Sequence, residues 1–174
     1  MKKLFSPDYF FEYALDITPD FLKELGISTV VLDIDNTLVT YGEPYPTEDV
    51  KKWVGKIKSS GISVAIASNN RGDRVTRFNE ALGTFAVCNS GKPSRRAVRI
   101  VCGHFSVKPE DVALIGDQIF TDMLCANRSG AKSILVKPLP YNENLFFRFK
   151  RLCEKPIINR FKKNHREKCF EKGV

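Results

Sequence analysis

The sequence has no apolar run near the length of about 18 residues that a membrane-spanning helix needs, and its start, MKKLFSPDYFFEYALD, is interrupted by Pro7, Asp8 and Glu12 before a signal-peptide core can form. A soluble chain of the cytoplasm is the expectation. Its five cysteines, Cys88, Cys102, Cys125, Cys153 and Cys169, are odd in number and include no C-x-x-C pair, which argues against a disulfide framework and a zinc site and fits a reducing compartment. They are expected to be small buried hydrophobes. The two histidines, His104 and His165, stand too far apart in sequence to suggest ligands and read as surface or capping residues. There is no internal repeat and no low-complexity stretch.

What remains is a chain of 174 residues, 43% hydrophobic and 28% charged, suited to one globular domain with a real core. Its formal charge of +8 is unevenly placed: residues 141–174 carry ten Lys/Arg against four Asp/Glu. Pro138 and Pro140 mark a border, dividing a domain at 1–140 from a basic amphipathic tail at 141–174. Strand-like apolar runs recur at 29–32, 62–67, 85–87, 112–115 and 133–136. Between them lie helix-sized segments. Thr47, Glu48 and Asp49 open one with the stripe Val50, Trp53, Val54 and Ile57, which makes Trp53 a core residue, and Gly61 closes it. Residues 71–82, 94–102 and 121–128 read as the other crossover helices, and Thr18 and Pro19 as the start of a short one that Gly26 ends. The alternation predicts an α/β fold: a Rossmann-like parallel sheet with helices on both faces.

In such sheets reactive groups collect at the carboxyl ends of strands. After the first run comes Asp33-Ile34-Asp35-Asn36-Thr37, where a spacing of two in an extended chain directs both carboxylates to one side. Two negative charges held together call for a cation, and Mg2+, a hard ion with oxygen ligands, suits them and phosphate oxygens alike. Gly116-Asp117-Gln118-Ile119-Phe120-Thr121-Asp122 adds carboxylates after another run and would complete the metal site. Ser68-Asn69-Asn70 offers a hydroxyl and amide donors, and Lys92-Pro93 a fixed positive charge; both suit a phosphoryl group. Each element alone is a common turn or cap, but four in order, each after its own strand, make a site.

Asp33-x-Asp35-x-Thr37, Ser68, Lys92 and Gly116-Asp117-x-x-x-x-Asp122 resemble, over about residues 25–137, the four motifs of haloacid-dehalogenase-type (HAD) phosphatases. The resemblance implies a HAD-like fold and Mg2+-dependent hydrolysis of a phosphate monoester through an aspartyl-phosphate. Asp33 would be the nucleophile, Asp35 the general acid and base, and Ser68 and Lys92 the phosphate holders. Mg2+ would be held by Asp33, Asp35 through its backbone carbonyl, and Asp117, with Asp122 close by; Thr37, Asn69 and Asn70 would face the substrate. A carboxylate nucleophile divides hydrolysis into two easier steps, and a second acid two residues away can serve both. Only residues 38–46 and 71–91 stand where cap insertions normally occur, so the enzyme is expected to be capless and its site open.

The lead-in P-D-Y-x-x-x-x-x-x-D-I-T at 7–18, L-G-I-x-x-V-V-L-D-I-D-N-T-L-V at 25–39, S-N-N at Ser68, K-P at Lys92 and G-D-Q-x-x-T-D at Gly116 resemble the YqeG-type subgroup more closely. That subgroup includes phosphatidylglycerophosphate phosphatases, so the resemblance implies a lipid substrate, with phosphatidylglycerol as product. The tail interleaves Leu145, Phe146, Phe147, Phe149 and Leu152 with Arg148, Lys150 and Arg151, then Ile157, Ile158 and Phe161 with Arg160, Lys162 and Lys163. Two readings are open: a peripheral hold on an anionic membrane, on its inner face, or a helix packed on the domain by its apolar side. The alternatives for function are a capless phosphatase acting on nucleic-acid ends or sugar phosphates, and a non-catalytic basic binding module. Intact Asp33, Asp35, Lys92 and Asp117 weigh against the last.

Overall fold

A computed structural model describes residues 4–140 and 145–171; within these, the side chains of Phe146 and Phe147, which the tail pattern includes, lie outside the described set. In chain order the elements are β1 (Tyr9–Phe11), α1 (Pro19–Glu24), β2 (Thr29–Leu32), α2 (Glu48–Ser59), β3 (Ser63–Ala67), α3 (Gly72–Glu80) and β4 (Phe85–Val87). There follow α4 (Arg96–Phe105), β5 (Val112–Gly116), a π turn (Ile119–Met123), α5 (Leu124–Ser129), β6 (Lys132–Val136), α6 (Leu145–Asn164) and β7 (Cys169–Phe170). The seven strands form one parallel sheet in the order β4-β3-β2-β5-β6-β1-β7.

The central strands are apolar on both faces because both are covered. Val30, Leu32, Val64, Ile66, Ala113 and Ile115 enter one layer with Val50, Trp53, Ile57, Val75 and Phe78 of α2 and α3. Their neighbours Val31, Ala65, Ala67 and Leu114 enter the other with Ala97, Val98 and Val101 of α4, Cys125 and Ala126 of α5, and Phe161 of α6. Trp53 is in the core as expected, its indole N–H donating to the Ile17 carbonyl at 2.8 Å. The helix starts read from sequence carry their caps: Thr18 accepts from Phe21 N at 3.2 Å and Thr47 from Val50 N at 3.3 Å.

Several details differ from the sequence reading. The helix expected at 121–128 begins with the π turn, because the amides of Asp122 and Met123 both donate to the Gln118 carbonyl, at 3.0 and 3.1 Å. Strands β1 and β7, of three and two residues, are too short to show periodicity. Of the cysteines only Cys125 is buried; Cys88, just past β4, and Cys153, on α6, are exposed, so the expectation of buried thiols holds for one of the five. His104 is a surface residue whose ring stacks on Phe85 at 3.7 Å.

Among the described residues no cap is inserted into the sheet domain. Instead the C-terminal segment folds back on it. Phe161 is buried at 4% exposure, Glu154 at 0%, β7 pairs with β1, and the Phe170 ring stacks on Phe11 at 4.4 Å. Among the described residues no helix is long and apolar enough to cross a membrane. Since Phe161 anchors α6 in the second layer, Phe161→Ala is expected to lower stability by about 3–5 kcal/mol. Urea denaturation checks this, and a loss below about 1 kcal/mol would mean that α6 is only loosely held.

Candidate active site

Strand β2 has β3 on one side and β5 on the other, so the chain reverses its direction of travel across the sheet between them. At such a point the loops part and leave a crevice at the carboxyl edge. Asp33 follows β2, Ser68 follows β3, Lys92 lies in the loop after β4 and Asp117 follows β5. The sheet order therefore sets these residues side by side. A cleft of about 260 Å³ opens there, lined among others by Asp33, Ser68, Asn70, Lys92, Tyr41 and Lys150.

At its floor are three buried carboxylates. Asp33, Asp117 and Asp122 offer oxygen atoms that all lie within 4.8 Å of one another. Lys92 reaches in from the β4 side, its Nζ 2.6 Å from Asp33 Oδ1, 2.7 Å from Asp122 Oδ1 and 2.8 Å from the Ala67 carbonyl. Asp122 arrives by way of the π turn, and its Oδ2 accepts from the Gln118 amide at 3.2 Å. This approach is possible only over a glycine: a Cβ on Gly116 would stand 2.4 Å from the Asp122 carboxyl carbon.

Burial pushes the Asp33 pKa up to about 8, with Asp122 and Asp117 adding to the rise and Lys92 opposing it. Burial likewise raises Asp117 to about 6 against the pull of Arg151. For Lys92 burial opposes the charge, yet Asp122 and Asp33 prevail and raise its pKa. The cluster is thus short of positive charge. Its donors are all carboxylate oxygens, the set that a hard divalent cation takes, so the residues present fit such an ion.

The remaining residues singled out in the sequence fall into two groups. Ser68 lines the cleft, its Oγ accepting from Asn70 N at 3.1 Å. Asp35 lies at the same edge, but its carboxylate is apart from the triad: one oxygen accepts from Asn70 Nδ2 and the other pairs with Arg74 at 2.5 Å. Thr37 is buried beneath the cleft, whereas Asn69 lines it and also holds the protein together there. The Thr37 hydroxyl lies 3.5 Å from Asp33 Oδ2 and 3.4 Å from Asp117 Oδ1. The Asn69 side chain fixes the lysine loop, donating to the Lys92 carbonyl at 2.9 Å and accepting from Lys92 N at 2.9 Å and Ser90 Oγ at 2.8 Å.

Sequence reading passed over Arg74, Tyr41, Gln118 and, above all, the inner face of α6. Lys150 Nζ donates to Gln118 Oε1 at the cleft mouth, and Arg151 pairs with Asp117 Oδ2. Behind it, Arg151 meets Glu154 at 3.3 Å, and Glu154 accepts from Phe120 N at 3.2 Å. The available signal was Glu154 itself, the single acid in a helix otherwise rich in Lys and Arg.

Residues 89–138 match the HAD-hydrolase-like family. The chain is 37% identical over 163 residues to a Bacillus subtilis (strain 168) protein named "Probable phosphatase YqeG", covering 94% of this chain and 95% of that one. It is 28% identical over 137 residues to the Arabidopsis thaliana "Phosphatidylglycerophosphate phosphatase 1, chloroplastic/mitochondrial", covering 72% of this chain and 38% of the plant protein. Among solved structures, the cobalt-bound deoxy-D-mannose-octulosonate 8-phosphate phosphatase of Haemophilus influenzae superposes with a TM-score of 0.54 at 15% identity, over 81% of this chain and 92% of that one. An uncharacterized protein from Listeria monocytogenes serotype 4b gives 0.55 at 19% identity, over 68% and 85%. At these identities the structures speak for the shared fold alone.

The raised pKa of Asp33 has a consequence for the cation-free protein. A carboxyl that ionises near pH 4 when unfolded and near 8 when folded destabilises the fold increasingly as pH rises between those values, and not below them. With chelator present, Asp33→Asn is expected to melt higher than the wild type at pH 8, the gap closing toward pH 4. Differential scanning calorimetry across that range checks it, and a lower melting temperature at pH 8 would contradict it.

Proposed function

The chain belongs to the YqeG-type phosphatases of the HAD-like hydrolases, which makes it a phosphoric monoester hydrolase, and from that premise we propose that it is a Mg2+-dependent lipid phosphatase working through an aspartyl-phosphate on Asp33. Mg2+ would be held by Asp33, Asp117 and Asp122, with the Asp35 carbonyl as a further oxygen, and when bound it supplies charge neutralisation for the phosphoryl oxygens.

In the first step an Asp33 oxygen attacks phosphorus, the bond from phosphorus to the ester oxygen breaks, and Asp35 gives that oxygen a proton. In the second, Asp35 takes a proton from water, whose oxygen attacks phosphorus and returns the Asp33 carboxylate with release of inorganic phosphate. Lys92 and the Ser68 hydroxyl, both lining the cleft, would hold phosphoryl oxygens. Asn70 and Arg74 hold the Asp35 carboxylate at the rim. Lys92 at the floor, with the ion that the three carboxylates would hold, would put positive charge where charge is redistributed in the transition state.

The observation that carries the lipid reading is the two-sidedness of α6. Leu145, Phe149 and Leu152, 81%, 66% and 62% exposed, recur at the i, i+4, i+7 spacing of one helix face. Exposed Arg148 and Lys155 flank them, while Lys150 on the inner side points a cation into the cleft. Such a helix fits an anionic bilayer, its apolar stripe in the interface and its cations at the headgroups. The name of the plant relative, a phosphatidylglycerophosphate phosphatase, supports phosphatidylglycerophosphate as the substrate, which hydrolysis would convert to phosphatidylglycerol.

Phosphate release from phosphatidylglycerophosphate in mixed micelles is expected to require Mg2+ and to vanish in Asp33→Asn. Release only from soluble monoesters, such as sugar phosphates or nucleic-acid ends, would keep the chemistry and discard the lipid. No release from any substrate would favour a basic binding module. Replacing Leu145, Phe149 and Leu152 by Ser is expected to weaken co-sedimentation with anionic vesicles by more than about tenfold, while turnover of a soluble monoester is kept. Unchanged vesicle binding would place the membrane contact elsewhere.

A further inference from the structure

Asp117 is gripped from two sides. The Thr37 hydroxyl lies 3.4 Å from its Oδ1. On the other side Arg151 closes a fork on it, Nη1 donating to the Asp117 carbonyl at 2.6 Å and Nη2 pairing with Oδ2. A planar guanidinium that meets a backbone oxygen and a carboxylate oxygen of one residue fixes both its place and its rotation. Arg151 is held in turn. Glu154, one turn along α6 with a fully buried side chain, pairs with it at 3.3 Å and accepts from the Phe120 amide at 3.2 Å. A buried glutamate in a basic helix costs stability unless its partners are in place, and here they are the arginine and the backbone of the π turn that carries Asp122.

We propose that Arg151 and Glu154 are positioning residues for Asp117, so that the C-terminal helix completes the cation site from 34 positions away in sequence. The inference rests on the cation reading of the acidic triad and adds that its geometry depends on α6. Arg151 is not one of the residues that line the cleft; it would act through Asp117, in the way that outer groups orient metal ligands in general. It also ties the two turns of α6 that carry the exposed stripe of Leu145, Phe149 and Leu152 to the floor of the cleft.

The competing account is that Arg151 is simply a substitute cation that a metal displaces from Asp117, and the two accounts predict opposite signs. Calorimetric titration of Mg2+ into chelator-stripped wild type, Arg151→Gln, Arg151→Lys and Glu154→Gln separates them, each protein being confirmed as folded by circular dichroism. Positioning predicts Mg2+ affinity weakened about tenfold or more in Arg151→Gln and Glu154→Gln, with Arg151→Lys in between because lysine keeps the charge but not the fork. Should Arg151→Gln not fold, Glu154→Gln and Arg151→Lys carry the same comparison. Tighter or unchanged Mg2+ binding in the variants would overturn the proposal, and no binding by the wild type would overturn the cation reading as well. Because the readout is ion affinity, failure of the lipid substrate leaves the result standing.

Discussion

Three carboxylates that repel one another, Asp33, Asp117 and Asp122, are held together in a place from which water is largely removed, and much of the surrounding structure is arranged around that repulsion. Lys92 is nearly buried, a costly position for an ammonium, and it is tolerated because two carboxylates and a carbonyl surround it. Asn69 is committed to the loop that delivers the lysine, and Gly116 is bare so that Asp122 can come close. A core packed only for stability would have no use for this arrangement, since apolar residues of similar volume would do better. The repulsion is useful to an enzyme because the cluster gains from whatever positive charge enters it.

The sheet explains why this arrangement can be made from residues so far apart. Strands β4, β3, β2 and β5 are neighbours in that order, and all run the same way, so Asp33, Ser68 and Asp117, each the first residue past its strand, meet Lys92 from the loop after β4 at a single edge. That much was legible in the sequence: apolar runs of strand length each followed by a polar cluster announce a parallel sheet and its reactive edge together. What a motif does not convey is the direction of each side chain. Thr37 stands in its motif beside residues of the cleft, yet it is buried with its hydroxyl near Asp33 and Asp117, while Asn69 lines the cleft but commits its side-chain amide to the lysine loop, because buried carboxylates and that loop need hydrogen-bond partners of their own. Asp35, two residues from Asp33, faces Asn70 and Arg74 for a related reason: the chain leaves the strand and turns at Asn36, whose φ of 59° is left-handed.

The inner face of α6 was the least legible part. Its apolar spacing was visible, but the residues facing the domain change character along the helix, from Lys150, Arg151 and Glu154 to Ile157 and Phe161. Apolar periodicity detects the second half of that face and is blind to the first, where the contacts are ionic. The two short strands at the sheet edge were hidden by their length, although β7 is what returns the end of the chain to β1.

These features bear on one another through the stiffness of a helix. The outward stripe of α6 and its inward cations share the same two turns, so the helix cannot shift or rotate to suit a surface without moving Arg151 relative to Asp117. Phe161 fixes the far end in the second core layer, and Glu154 fixes the middle against the π turn. A flexible basic tail would bring the chain to an anionic surface equally well by charge alone. On the proposed lipid reading, a rigid one, docked by a buried ion pair, would also fix the angle at which the cleft meets that surface, which a capless site needs more than one enclosed by a cap.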